Sequence, residues 1–422
     1  MMEGIATASA RVKKVRQILQ FCYQKDFNKG CRKKERREKR GREKDMGKAP
    51  LESLHNNMKS ITDQRQPAKV LHRLEDILFM AVVATIANAG CWEDVADFAQ
   101  GKKEWFSRYI DLSNGIPSHD TFERVFRWID GKEFERSFIL WMREICTESS
   151  GMRVIAIDGK TMRGSGDTSI GRKPLHIVSA WTDANNMVLG QVKTEEKSNE
   201  IKAIPALLTL LDVRGAVVTI DAMGTQKEIA RQIVQQKADY VLSVKGNQPA
   251  MLEDIQLFFE TEMSTDFEGI SHEHHLTLDK GHGRLEKREY WLTNDIGWIS
   301  WKKEWKNLGG IGMVRRTVTK GEETTKETAY FITSLSKNVG LFARAVRGHW
   351  GIESMHWSLD VVLNEDKRTV RKDNGAQNLA VLKRIALNII RADQGFEKAS
   401  GPRKRFRASW DSKYLESILQ NL

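Results

Sequence analysis

The spacing of apolar residues changes period twice along this chain, and each change marks a different kind of structure. From about residue 71 to 150 the period is helical. Leu74, Ile77, Leu78 and Ala81 share one face, and Val95, Ala96, Phe98, Ala99, Trp105 and Phe106 follow at helical spacings. Ser118 after Pro117 is a start signal for a helix carrying Phe122, Val125, Phe126 and Ile129. Another helix from about Lys132 carries Phe134, Phe138, Trp141 and Met142. After Gly151 the texture becomes that of strands. The continuous apolar run at 154–157 predicts a fully buried central strand. HIVSAWTD and MVLGQVKTE alternate on either side of Ala184, Asn185 and Asn186, which predicts a hairpin. Helix IKAIPALLTLL, strand VVTID, helix KEIARQIVQQKA and strand YVLSVKG complete the run.

Three strands, helix, strand, helix, strand is the ribonuclease H-like order, in which helices cover both faces of one sheet. The block 251–336 reads as a helix, MLEDIQLFFETEM, followed by mostly sheet. HLTLDKGHGRLEKREYWLT alternates like a strand, and GGIGMVRRTVTKG and ETAYFITSL give two more, with glycine turns at 281–283 and 309–310. It reads as an insertion ahead of the final helices. The expected fold class is α/β: a ribonuclease H-like domain over 151–393 interrupted by insertion 251–336, after an all-helical domain at 56–150. Residues 1–55 read as a basic extension and 394–422 as a tail. In the last helical stretch Val346, His349, Trp350, Glu353, His356, Trp357 and Asp360 recur at spacings of three and four. An amphipathic helix from Asn378 could pack behind the sheet. The tail, with Lys398, Arg403, Lys404, Arg405 and Arg407, is expected to be exposed.

Composition narrows the partners. The 422 residues are 40% hydrophobic and 29% charged, ordinary for a globular protein, but carry a net charge of +12. That excess calls for a polyanion, which charge alone leaves as nucleic acid or an anionic membrane surface. The apolar run beginning at Ile77 has 14 residues, too few to span a bilayer, and reads as a buried helix. Cys22, Cys31, Cys91 and Cys146 follow neither a zinc-knuckle nor a disulfide spacing, so a reducing cytoplasm is the simplest setting. Residues 31–48 carry ten Lys/Arg against four Glu/Asp, and read either as solvated chain or as an arm for DNA phosphates.

Two apolar strands each run into an aspartate, Asp158 and Asp221, which predicts two carboxylates at a sheet rim. Phosphodiester chemistry uses paired divalent cations about 3.5–4 Å apart, and Mg²⁺ takes oxygen ligands. Glu353, on the helix after the insertion, is the third acid of choice. Glu286, or the pair Glu365 and Asp366, are alternatives, although Glu286 fits pairing with Arg284 or Arg288 better. His349, Glu353, His356 and Asp360 share a helical face that could bind zinc, but the hydrolytic HExxH pattern is absent. Lys160, Arg163, Lys245, His282, Arg284, Arg288 and Arg347 supply candidate phosphate contacts around these acids.

IAIDGKTMRGS, VVTIDAMGTQ, DYVLSVKGNQP, HGRLEKRE, YFITSL and the stretch from RGHWGIES to NLAVLKR together resemble the ISAs1 family of bacterial insertion-sequence transposases, which includes the H-repeat-associated proteins and is akin to the IS4 group. CWEDVADFAQ and GIPSHDTFERVF resemble that family's associated domain, and the likeness covers about residues 57–393. It implies a DDE transposase that cuts and joins DNA with Mg²⁺, for which Mn²⁺ substitutes. The catalytic and metal-binding acids carry over to Asp158, Asp221 and Glu353. Of the IS4-group tyrosine, arginine, glutamate, lysine signature only Glu353 remains. Val346, His349 and Asp360 stand at the other positions, with His349 and Arg347 left as DNA contacts. The resemblance further implies double-stranded DNA partners (terminal inverted repeats and target), a homo-oligomer on DNA and a nucleoid-associated setting without membrane.

Overall fold

Capping residues set the helix starts in the first part of the chain. The computed structural model describes residues 49–146, 152–194, 200–281 and 283–420; the basic run 31–48 and His282 lie outside them. Six helices come first: α1 (Ala49–Met58), α2 (Leu74–Ile86), α3 (Trp92–Gly101), the one-turn α4 (Lys103–Phe106), α5 (His119–Trp128) and α6 (Gly131–Ile145). The Ser118 hydroxyl accepts from Thr121 N, as expected, and Asp130 caps α6 by accepting from Lys132 N and Glu133 N. Cys91 and Asp94 form a reciprocal capping box on α3. α2 is the buried helix expected of the run from Ile77: 12 of its 13 residues are buried, because it runs through the middle of the helical core.

The sheet begins with β1 (Val154–Met162), β2 (Leu175–Thr182) and β3 (Met187–Thr194), the last two forming the expected hairpin, with Asn186 at φ 54° in its turn. Then come α7 (Glu200–Leu210), β4 (Val217–Ile220), α8 (Lys227–Gln235) and β5 (Asp239–Val244). β1, β4 and β5 are parallel, and β2 and β3 antiparallel, in the order β3-β2-β1-β4-β5. This is the ribonuclease H-like arrangement. One expectation needs correction: Asp158 does not end its strand. β1 continues through Asp158↔Ser179 to Met162↔Leu175 against β2, so only its parallel pairing with β4 stops at Ile157↔Ile220.

The block 251–336 is also less separate than its sequence suggests. After α9 (Pro249–Ser264), strands β6 (His272–Gly281), β7 (Arg284–Thr293), β8 (Gly310–Lys320) and β9 (Glu323–Thr333) continue the same sheet through β5–β9 pairing. The result is nine strands in the order β3-β2-β1-β4-β5-β9-β8-β7-β6. The run read as one strand is the β6–β7 hairpin, turned at Gly283 with φ 73°.

Helices α10 (Val339–Val361), α11 (Gly375–Ala392), α12 (Gly401–Trp410) and α13 (Ser412–Gln420) finish the chain. α11 is not amphipathic in place: every residue from Gly375 to Ile390 is buried, between β3 and helices α2, α5 and α6. Several of its polar side chains find partners there. Asn388 exchanges two hydrogen bonds with the Val188 backbone, and Asn378 donates to the Phe126 and Ile129 carbonyls. The exposed tail holds only in part: Lys398 and Arg403 are exposed, but helices α12 and α13 are packed. Leu415, Ile418 and Leu419 join the helical core, and Lys404 and Arg405 are buried. Their charge is tolerated because they donate to carbonyls near helix C-termini, at Ile390 and Asp393 for Lys404 and at Thr85 and Val362 for Arg405. Among the described residues no helix is long and apolar enough to cross a membrane.

Candidate active site between β1, β4 and α10

The parallel register of β1 and β4 brings two acids together. With Ile157 beside Ile220, the next residues on the two strands are Asp158 and Asp221. Neighbouring strands lie about 4.8 Å apart, so two carboxylates enter one cleft side by side. Asp221 turns the chain: its Oδ1 accepts from Met223 N (3.1 Å) and Gly224 N (3.3 Å). That orients the group and leaves the other oxygen for the cleft.

α10 brings the third acid. It packs across β1, β4 and β2, and at Gly351 its backbone lies so close to the Trp181 ring that a side chain would collide with it. Glu353 follows two residues later. It lines a cleft of about 400 Å³ with Asp158, Asp221, Thr219, Ser243, Lys245, Arg316, His349 and Trp350. Thus the structure brings Asp158, Asp221, Glu353, Lys245 and His349 together. Lys245 is exposed within that wall.

Among the described residues no lysine or arginine forms an ion pair with the cleft acids. Burial, reinforced by Asp221, Glu200 and Glu353, pushes the Asp158 carboxyl up to about 7. The histidines on α10 give no relief. Burial lowers His349 to about 4, and Nδ1 of its neutral ring is 3.1 Å from the Thr219 hydroxyl. His356 is lowered to about 3 by burial, then by Arg384 and Lys160, and its Nδ1 lies 3.6 Å from Asp158 Oδ2. Among the described residues no three of His, Cys, Asp and Glu stand close enough to hold one ion by themselves, which holds for the histidine-bearing face of this helix and for the three acids alike.

The other sequence candidates lie elsewhere. Lys160 is buried, and its ammonium meets Asp360 (2.8 Å), Glu365 (3.1 Å) and Asp366 (3.1 Å), so as placed it offers nothing to a phosphate. Glu365 in turn binds Arg384 at 2.9 Å, both fully buried. Arg288 is buried too, paired with Glu286 and with Asp279 (2.9 Å). Glu286 also holds Arg316 at 2.6 Å and Arg284 at 3.7 Å, the structural pairing expected of it. Arg288, Arg316 and Arg347 stack on Trp350, 4.7, 5.5 and 5.7 Å from its ring centroid. Arg163 is exposed beyond the cleft, and Trp357 faces solvent, away from the acids.

Glu200 and His176 carry no sequence signal of a site. They hydrogen-bond to each other, buried behind Gly159, where any side chain would strike both. Glu200 adds to the field on Asp158, yet it opens an ordinary helix and stands in no pattern that would single it out. Arg316 was missed for the same reason, since only strand order brings it to the cleft.

Comparison with known proteins identifies the family. The family model described as "Transposase DDE domain" matches residues 149–389, and "DDE_Tnp_1-associated" matches 55–142. "Putative transposase YncI" of Escherichia coli O157:H7 is 41% identical over 87% of this chain and 95% of its own length. "H repeat-associated putative transposase YhhI" of E. coli K12 is 39% identical over 87% and 98%. Among solved structures, the cryo-EM piggyBac transposase synaptic complex with hairpin DNA aligns at a TM-score of 0.43 and 12% identity, over 87% of this chain and 80% of that one, too loosely to add to the argument. With a ribonuclease H-like sheet, and a family match over more than half its length, the chain belongs to the DDE transposases, among the H-repeat-associated group.

Proposed function

We propose that Asp158, Asp221 and Glu353 are the catalytic acids of this transposase, acting with Mg²⁺, or Mn²⁺ in its place, on the phosphodiesters of its element's DNA ends. The observation that carries this is the register of β1 on β4, which sets two carboxylates side by side under the helix bearing Glu353. The donors suit the ion: all are oxygen, one Asp221 oxygen is held by backbone amides, and the burial and neighbouring carboxylates that raise Asp158 to about 7 are what a bound cation would offset. When bound, paired cations would neutralise charge on the transferring phosphate and lower the cost of ionising the attacking hydroxyl.

The chain's own groups orient and screen. Asp158 and Asp221 would hold the metals from two strands, and Glu353 would complete the set from α10. His349, kept neutral, lines the cleft without repelling a cation. Lys245 offers positive charge to phosphate oxygens in the same cleft, whereas Arg316 is already held by Glu286 and Glu327. The substrate is duplex DNA carrying the terminal inverted repeats. Hydrolysis frees a 3′-OH, which then attacks target DNA, and a homo-oligomer holds two ends together.

Cleavage and strand transfer on a labelled duplex bearing the element's end, with Mg²⁺ or Mn²⁺, tests this. Asp158→Asn, Asp221→Asn and Glu353→Gln are each expected to abolish both steps while leaving DNA binding intact. Activity surviving Glu353→Gln would sink its assignment. Cutting without joining would make the protein a nuclease, and binding without cutting a remnant.

A further inference from the structure

Two segments beyond the acid cleft are left without a role by this chemistry, and they are bonded to each other. β1 carries Asp158 and runs on to Met162, about 13 Å at 3.3 Å per residue. α10 carries Glu353 and runs on to Val361, about 12 Å at 1.5 Å per residue. Strand and helix therefore deliver the chain to one place. There the connector 163–174 and the loop 362–374 lock together. Arg163 N donates to Asp366 Oδ1 (3.1 Å), the Arg172 guanidinium donates to the Arg371 carbonyl, and Arg371 reaches Asp167 at 2.7 Å. Gly164 sits so close to the Asp366 and Arg368 carbonyls that a side chain would strike backbone.

The surface of this double segment is basic. Arg163, Arg172, Lys173, Lys367 and Lys372 are exposed. Its carboxylates are already engaged: Asp167 by Arg371, Asp366 by Lys160, and Asp373 by Arg127 at 2.7 Å. Cations held on two mutually bonded loops, beside the acids but outside their cleft, match a rigid row of phosphates.

We propose that this ridge grips the backbone of duplex DNA to one side of the scissile phosphate. The proposal rests on the reading of the cleft given above. At 3.4 Å per nucleotide along a strand, a start about 13 Å from the acids means phosphates from about the fourth nucleotide outward. The contacts position the duplex and read no sequence. A membrane surface fits less well, since Ile170 is the one exposed large apolar side chain among the described residues of the two segments.

The test is equilibrium binding of the full-length protein to its end duplex across a salt series. Arg172→Glu with Lys173→Glu, and Lys367→Glu with Lys372→Glu, are compared with Lys302→Glu and Lys303→Glu, an equal charge change on an exposed turn far along the sequence. Each ridge pair is expected to lose at least about tenfold in affinity and about two units of the log K–log salt slope, at roughly 0.9 per phosphate. The control pair should stay within about threefold. Methylphosphonates from the fourth to the eighth nucleotide should weaken wild type but add little to the ridge variants. Ridge variants that behave like the control, with wild type binding and cutting, would overturn the ridge alone. A wild type that binds no end duplex would overturn the cleft reading, and the ridge with it.

Discussion

Two buried charge clusters share the interface of β1 and α10, and they are built on opposite terms. In the clasp, Lys160 and Arg384 face Asp360, Glu365 and Asp366. Burial alone would raise the Glu365 carboxyl, but Arg384, Lys160 and Lys383 overcome it and hold the group down to about 2. Two residues back along β1, the cleft gathers Asp158, Asp221 and Glu353 with no cation paired to them, and Asp158 rises to about 7. Compensated charge joins strand to helix, whereas among the described residues no lysine or arginine pairs directly with the three cleft acids. A shifted carboxyl by itself does not separate a structural site from a chemical one.

Breaking the clasp should have the largest effect. Arg384→Met leaves a fully buried carboxylate with a poorer partner and is expected to cost about 3–5 kcal/mol in urea unfolding. A loss under 1 kcal/mol would mean that Glu365 simply protonates.

Lys160→Met should act on chemistry as well as stability, because it frees the end of α10 from the strand bearing Asp158. We expect cleavage to slow by about ten- to a hundredfold, as for groups that orient metal ligands, and more Mn²⁺ to be needed for half-maximal rate. Lys160→Arg should restore part of both, whereas an unchanged Mn²⁺ requirement would confine Lys160 to folding.

pH separates the two clusters by sign. Asp158 has a raised folded pKa, so its contribution to stability falls as pH rises from about 4 to 7 in metal-free buffer. Glu365 has a depressed one, so its contribution is present above about 4.5 and lost as pH falls toward 2. Asp158→Asn should therefore raise the metal-free Tm at pH 8 by about 1–3 °C and leave it nearly unchanged at pH 4. Mn²⁺ should stabilise wild type more at pH 8 than at pH 5.5 and Asp158→Asn hardly at all. Equal Mn²⁺ shifts in the two proteins would move the ion away from Asp158.

The smallest effect is expected at Glu286, whose arginine partners mark it as structural. Glu286→Gln should keep cleavage within about tenfold of wild type, against complete loss in Glu353→Gln. The reverse ranking would exchange the two assignments.

The amino-acid sequence by itself determined the local and periodic features. Apolar runs at 154–157 and 217–220 could only be buried strands, and the acids at their ends were visible for that reason. Ser118 announced a helix start through its hydroxyl, and three-and-four spacing put His349, Glu353, His356 and Asp360 on one helical face. Tertiary structure alone decided which charges are spent. Lys160 looked like a phosphate ligand because it follows Asp158, yet its partners lie some two hundred residues away in sequence. Lys404 and Arg405 looked solvated, and α11 looked amphipathic, until helix ends and a second layer of helices closed over them. Periodicity and capping act over a few residues and are written in neighbouring side chains. Desolvation and charge pairing depend on which distant segments meet, and no local pattern encodes that.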